Sequence, residues 1–192
     1  DQFGLRACAN RGCGEDQAQA VQTDFKQLMT HADSHFGQHD FLLGSRASLG
    51  DFTFAGLFKA HIEEDPEPRS WIDASAPAMV GHMNRIFEAR SDDRQYLPDD
   101  TLPETLTPFF DHMRDTYHQF LRVSREALAA RDKWCEVDLG EGPVKMRSLK
   151  YSEVSRCHIR NEIESLPRQE RASVEEKLGP LGVLDAYLLP SL

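Results

Sequence analysis

Apolar side chains recur every three or four residues along much of this chain, and that period constrains its fold more than any other feature. Such spacing places the apolar residues on one face of an α-helix. The first run extends from Asp16 to Phe36 and ends before Gly37, with its stripe on Val21, Phe25, Leu28, Ala32 and Phe36. The 192-residue chain is therefore predicted to be all-α, and it is long enough for a domain with a real core.

A second helix is predicted to begin at Ser48, within Ser48-Leu49-Gly50-Asp51. The Ser48 side chain can accept a hydrogen bond from the Asp51 N–H, and the Asp51 carboxylate can accept one from the Ser48 N–H. This reciprocal arrangement is a capping box, with Asp in place of the commoner Glu. Because a cap satisfies backbone donors that the first helical turn leaves open, we assign Ser48 and Asp51 a role in folding rather than in catalysis.

The residues after this cap are apolar on most sides, which predicts a buried central helix that ends at Asp65-Pro66. Ala76-Pro77 is expected to start a third helix, because proline fits the first helical turn. The inward face of this helix carries Met79, Met83 and Ile86. The polar stretch from Ser91 to Thr101 is predicted to be a loop.

The C-terminal half is predicted to hold further helices and one small hairpin. A long helix covers Glu104 to Asp132, and shorter ones cover Tyr151 to Glu164 and Arg168 to Leu178. Alternation from Trp134 to Leu139, followed by a Gly-rich turn and Val144 to Met146, predicts a hairpin that needs packing to persist. After the break at Gly179-Pro180, the last apolar segment, Leu181 to Leu189, is expected to dock on the bundle.

The stretch FLLGSRASLGDF at positions 41–52 resembles the glutathione S-transferase family, in its all-helical C-terminal domain. The family pattern is FLLG, two variable residues, then PSLADF. Ala47 and Gly50 depart from that pattern, whereas Ser48 and Asp51 keep it. Further matches, which extend the resemblance to Phe87, are Ala60-His61 followed by Asp65-Pro66, and Ala76-Pro77 followed by Arg85.

The resemblance implies a helical bundle like that C-terminal domain and a parent protein with two domains. In the family, an N-terminal thioredoxin-like domain binds glutathione and supplies the Ser, Tyr or Cys that stabilises its thiolate. The helical domain supplies mainly the apolar wall for the electrophilic co-substrate. This chain shows no βαβ pattern, so none of its residues is assigned the thiolate-activating role, and we expect it to bind no glutathione and to be inactive alone. We assign it no catalytic, cofactor-binding or metal-ligating residue.

The expected partners are the thioredoxin-like domain of the parent protein and, as an open alternative, a second copy in a homodimer. We predict a single helical domain over residues 1–192, with a family-like bundle at 1–100 and a helical extension, 101–192, packed on it. The rival organisation is two domains joined by the polar loop at 91–101. The rival function is a non-catalytic, transferase-like helical module for protein contacts, which the absence of an upstream thioredoxin-like domain would favour.

Charge and composition indicate which partners and which cellular location to expect. The chain carries 22 Lys+Arg against 32 Asp+Glu without adjacent basic residues, which argues against nucleic acid as a partner. Neither an apolar run of membrane-spanning length nor a signal sequence is present, and the four cysteines form no CxxC pair, so we expect a cytoplasmic protein with reduced thiols. Because the sequence opens with Asp1 rather than Met, we expect it to be a piece of a longer protein.

For three other groups of residues, a functional role is the alternative to an ordinary structural role. His31, His35 and His39 are spaced for one helix face and could ligate a metal, although Gly37 is expected to end the helix first. A thiol near arginines would be reactive, which applies to Cys8, Cys13 and Cys157. Core packing is the favoured role for the aromatic stripe, and a ligand pocket is the alternative; its members are Phe109, Phe110, Tyr117 and Phe120.

Overall fold

A computed structural model describes residues 14, 17–90, 94–138, 140 and 142–192. The helices are α1 (Ala18–Phe36), α2 (Leu49–Leu57), α3 (Pro66–Ser75), α4 (Pro77–Glu88), α5 (Thr107–Asp115), α6 (Tyr117–Ala129), α7 (Lys150–Ser165) and α8 (Arg168–Leu178). Strands β1 (Trp134–Asp138) and β2 (Pro143–Arg147) form a two-stranded antiparallel sheet. The predicted helical class and the predicted hairpin are both confirmed.

The chain divides into two compact units. We call Lys26–Phe109 the cap unit, because it contains the Ser48–Asp51 cap, and we call residues 17–25 with Phe110–Leu192 the hairpin unit. This division follows Phe109, whereas the sequence placed the start of the extension after residue 100. The organisation of the whole chain as a single domain stays a prediction.

The core of the cap unit comes from the inward faces of its helices. Met29, Ala32 and Phe36 are buried on α1, and the predicted inward residues of α4 are buried as well. Asp65 is extended and Pro66 opens α3, so the Asp-Pro pair both ends one helix and starts another. The sequence predicted the end but missed α3, because few apolar residues mark that helix.

The prediction that the second helix is buried on most sides is wrong. The nine-residue α2 continues into one π-helical turn, Phe58–Ile62. Its side chains Asp51 and Ala55 are buried inside the cap unit. Its outer side exposes Leu49, Phe52 and Leu57 by 84%, 53% and 56%. A helix with apolar residues on every side is buried only if other elements pack on every side. Here α4 packs on one side of α2.

The single long helix predicted from Glu104 to Asp132 is also wrong. Glu104–Leu106 is a 3-10 turn, and Thr116 separates α5 from α6 with φ −117 and ψ −76. The Thr116 hydroxyl donates to the His112 carbonyl at 2.8 Å. The same bond occurs at Thr30 inside the unbroken α1, so the bond alone does not explain the break, and the apolar period does not reveal it.

In the hairpin unit, β1 and β2 pair from Trp134 opposite Arg147 to Asp138 opposite Pro143. Alternate side chains are buried, and they pack in a cluster composed of Ala20, Phe120, Cys135, Val137 and Val144. The turn uses glycines at positive φ, 92° at Gly140 and 108° at Gly142, and the Asp138 carboxylate accepts both of their N–H groups. This cluster supplies the packing that an isolated hairpin lacks.

Candidate functional site: the buried capping aspartate

The Asp51 carboxylate is completely buried and accepts hydrogen bonds on both oxygens. Oδ2 accepts the Ser48 N–H at 2.8 Å and the Ser48 hydroxyl at 2.6 Å. Ser48 Oγ in turn accepts the Asp51 N–H at 3.4 Å, so both reciprocal bonds of the capping box are present. Since Ser48 Oγ is engaged as donor and as acceptor, it acts as a cap rather than as a nucleophile.

Asp51 also fixes the loop that precedes its helix, which the sequence did not indicate. Its Oδ1 accepts the Leu42 N–H at 2.8 Å. In the same loop Gly44 has φ +128, and a Cβ there would lie 3.1 Å from Gln95 O and from Leu97 N. Only glycine fits such a close approach at positive φ. The FLLG turn is therefore held by Asp51 on one side and by residues 95–97 on the other.

A buried histidine lies next to this carboxylate. The His82 ring stacks on Phe36 with centroids 3.7 Å apart, and its Nδ1 lies 3.3 Å from the Asp40 carbonyl oxygen. His82 Nε2 is 3.8 Å from Asp51 Oδ1, too long for a hydrogen bond. Burial lowers the pKa of His82, and the nearby Asp51 charge opposes that shift. The imidazole is therefore held neutral beside the carboxylate.

His35 is a second buried histidine of the cap unit. Its Nδ1 lies 2.7 Å from Thr105 Oγ1, and its ring stacks on His39 with centroids 5.0 Å apart. Burial, followed by the neighbouring His39, lowers the pKa of His35 to about 4. Within the part of the chain that the structure describes, no group of three His, Cys, Asp or Glu residues is placed to hold a metal ion.

An open polar cleft of about 560 Å³ lies within the cap unit, at the end of α1. The Arg85 guanidinium donates from Nη2 to the carbonyl of Phe36, the last residue of α1, at 3.4 Å, and from Nε to the carbonyl of Asp40 in the loop that follows, at 3.3 Å. A cation at a helix C-terminus satisfies carbonyls that the helix leaves open. Arg85, which belongs to the predicted family matches, is thus engaged in holding backbone.

The other predicted candidates are cysteines and the aromatic stripe. Cys8 and Cys13 lie outside the described residues, and Cys157 Sγ lies 3.4 Å from Arg156 Nη2 in the hairpin unit. Cys135 and Cys157 are both free thiols. Two members of the aromatic stripe pack: Phe109 contacts Phe54 and His35 in the cap unit, and Phe120 joins the hairpin cluster. Tyr117 is 43% exposed.

Arg156 on α7 is buried and forms several hydrogen bonds, which the sequence did not indicate. Its guanidinium pairs with Glu153 at 2.7 Å and donates to the carbonyls of Tyr187, Leu189 and Pro190 at 2.7, 2.7 and 3.2 Å. Glu153 raises the pKa of Arg156, and Arg156 lowers the pKa of Glu153. Glu153 and Arg156 share one face of α7, but sequence cannot show that the C-terminal carbonyls converge there.

Comparisons with protein-family models, curated proteins and solved structures found no match to this chain. Across the described residues, none of the helices is both long and apolar enough to cross a membrane.

Proposed function

We propose that this chain is the helical, substrate-side domain of a glutathione-transferase-like protein. The observation that supports the proposal is the hydrogen-bonded connection of Leu42, Ser48 and Asp51. These residues belong to the stretch that carries the resemblance, and they form one buried unit that fixes a loop and a helix start together. The resemblance therefore concerns residues with a shared structural role.

In the proposed parent protein, a thioredoxin-like domain binds glutathione and activates its thiol. This chain contributes apolar surface for the electrophile that is conjugated or reduced. The outer side of α2 offers such a surface, since Leu49, Phe52 and Leu57 are exposed there. The cap at Ser48 sets the start of that helix and therefore the position of the surface. We place the parent protein in the cytoplasm.

The same exposed side of α2 also suits a second candidate, a non-catalytic helical module that binds another protein. Apolar side chains grouped on one helix surface are typical of interaction sites. The two candidates differ in one respect: the first requires glutathione-dependent turnover by the protein that the complete gene encodes, and the second requires none.

The experiment uses the complete gene product and a Phe52→Ala variant. With glutathione and an apolar electrophile, we expect turnover, and we expect the variant to raise the KM for the electrophile about tenfold while leaving the KM for glutathione unchanged. Tyr151→Ala, which removes an aromatic ring that is 81% exposed on α7, is the matched control and should change neither constant. Absence of turnover, or an unchanged electrophile KM in Phe52→Ala, contradicts the proposal.

A further inference from the structure

The hairpin unit buries a histidine whose ring nitrogens have no hydrogen-bond partner among the described residues. His118 lies on α6 and is 1% exposed. Neither Nδ1 nor Nε2 finds a donor or an acceptor within the part of the chain that the structure covers. A buried imidazole without partners is already costly when neutral, and its protonated form is costlier because a charge is added.

The groups that face His118 come from its own helix and from residues 183–192, which we call the C-terminal segment. The ring of Tyr187 packs edge-to-face on His118 with centroids 4.9 Å apart, and that of Tyr117 lies at 6.1 Å. Burial lowers the pKa of His118, Arg122 lowers it further, and Asp185 opposes both. Burial and Tyr117 raise the pKa of Tyr187 to about 12, so this phenol stays neutral near pH 7.

The other groups that hold the C-terminal segment do not change their charge near neutral pH. Val183, Leu184 and Ala186 are buried, and the polar anchors are backbone carbonyls that accept from Arg156 and Arg125. Glu153, which holds Arg156, has a lowered pKa and stays ionised at pH 5. Of the groups named here, His118 is the one whose ordinary range of titration lies between pH 5 and 8.

We propose that His118 makes the docking of the C-terminal segment acid-sensitive, so that the segment detaches from α6 as the imidazole becomes protonated. In the detached state the ring is hydrated and binds a proton near pH 6.5, whereas the docked state resists protonation. The docked state of the C-terminal segment is therefore most stable above that pH, and its stability decreases as the pH falls. The loss is up to about tenfold per pH unit, because one proton is taken up on release.

Hydrogen exchange of the full chain, followed by mass spectrometry at pH 7.5 and pH 5.0, tests this proposal. Protection factors, corrected for the intrinsic rates at each pH, are compared between the C-terminal segment and the hairpin strands of the same unit. We expect the protection of the segment to fall at least tenfold at pH 5.0 while that of the hairpin is retained. Equal protection at both pH values, or a parallel loss in the hairpin, overturns the proposal.

Variants identify the histidine responsible. His118→Phe cannot be protonated and should give a segment whose protection is the same at both pH values, and His118→Gln serves the same purpose if the phenylalanine variant does not fold. The control is His158→Phe, at an exposed position of α7, which should keep the wild-type acid response. If the segment of a folded His118 variant still loses protection at pH 5.0, another group is responsible and the proposal is wrong.

Discussion

The two units each use one buried charge to hold backbone, and they do so with opposite signs. In the cap unit, the Asp51 carboxylate accepts the N–H groups of Leu42 and Ser48, nine and three residues away along the chain. In the hairpin unit, the Arg156 guanidinium donates to carbonyls 31 to 34 residues away, including that of Tyr187. The comparison shows that a buried charge can fix loops in either unit, but only the short-range example is visible in a sequence motif.

The two charges also differ in how they are balanced. Asp51 is surrounded by neutral donors, with His82 held neutral 3.8 Å away. Arg156 has a carboxylate partner, Glu153, as well as its carbonyls. Removing Arg156 therefore takes the closest cation from the Glu153 carboxylate, leaving Arg125 at 4.0 Å, and also leaves carbonyls open. Removing Asp51 leaves only open donors. We expect the first loss to cost more.

The largest effect is expected for Arg156→Met, which keeps an apolar side chain of similar length. It should reduce the free energy of unfolding by about 3–5 kcal/mol, because three backbone carbonyls lose their donor and Glu153 loses its closest cation. Arg171→Gln is the matched control, since Arg171 forms an exposed pair with Glu175 at 2.9 Å and its loss should cost less than about 1 kcal/mol. The stability of both variants is measured from their denaturant midpoints. Similar midpoints would show that the loss of the buried Arg156 costs no more than the loss of the exposed Arg171.

Asp51→Ala should cost about 2–4 kcal/mol, because the N–H groups of Leu42 and Ser48 both lose their acceptor in a buried place. Ser48→Ala, which removes the side-chain cap alone, should cost about 1 kcal/mol. The difference between the two variants, measured by chemical denaturation, is the test that Asp51 fixes the preceding loop as well as the helix. Equal losses would mean that it acts only as a cap.

A third prediction concerns the acid response of the cap unit. Because the pKa of His35 is lowered to about 4, its folded state holds fewer protons than the unfolded chain between that value and about pH 6.5. Its contribution is therefore complete above about pH 6.5 and is lost by up to about 1.4 kcal/mol per pH unit as the pH falls towards 4.

The fluorescence of Trp71, measured in a Trp134→Phe background, reports unfolding of the cap unit alone, because the chain contains only these two tryptophans. His35→Phe in that background should flatten the dependence of the urea midpoint on pH between pH 6.5 and 5. A midpoint that falls as steeply in the variant as in its parent would show that another group controls the acid response.

The smallest effect tests how closely the loop around Leu42 packs on α2. Gly56→Ala should stabilise the protein by about 0.5–1 kcal/mol, since a Cβ there meets no atom within 4 Å. At Gly50 the same change places a Cβ 3.0 Å from Leu42 Cδ1, so we expect a smaller gain or none. A larger gain in the thermal midpoint for Gly50→Ala would show that this loop yields easily.

Much of the fold follows from local patterns, as these comparisons illustrate. The stripe of α1, the proline start of α4 and the alternation of the hairpin each predict their element, because the period of burial is written in neighbouring residues. The apolar period continues across the break at Thr116 and therefore does not show it, and the helix from Pro66 to Ser75 was missed because it is mostly polar.

The candidate site divides in the same way. Ser48 and Asp51 could be predicted from their spacing, since a capping box lies within one helical turn. The contact of Asp51 with Leu42, the burial of His35 and His82, and the carbonyls around Arg156 depend on residues that meet only in the folded chain. Local spacing carries no information about such long-range contacts.

The most direct measurement for the proposed function compares glutathione turnover by this chain with turnover by the complete gene product. With glutathione and a general electrophile, we expect this chain to show only the uncatalysed rate and the complete product to show turnover that denaturation abolishes. That result would support a helical domain that depends on a thioredoxin-like partner for its thiolate. Heat-sensitive turnover by this chain alone, or none by the complete product, would contradict it.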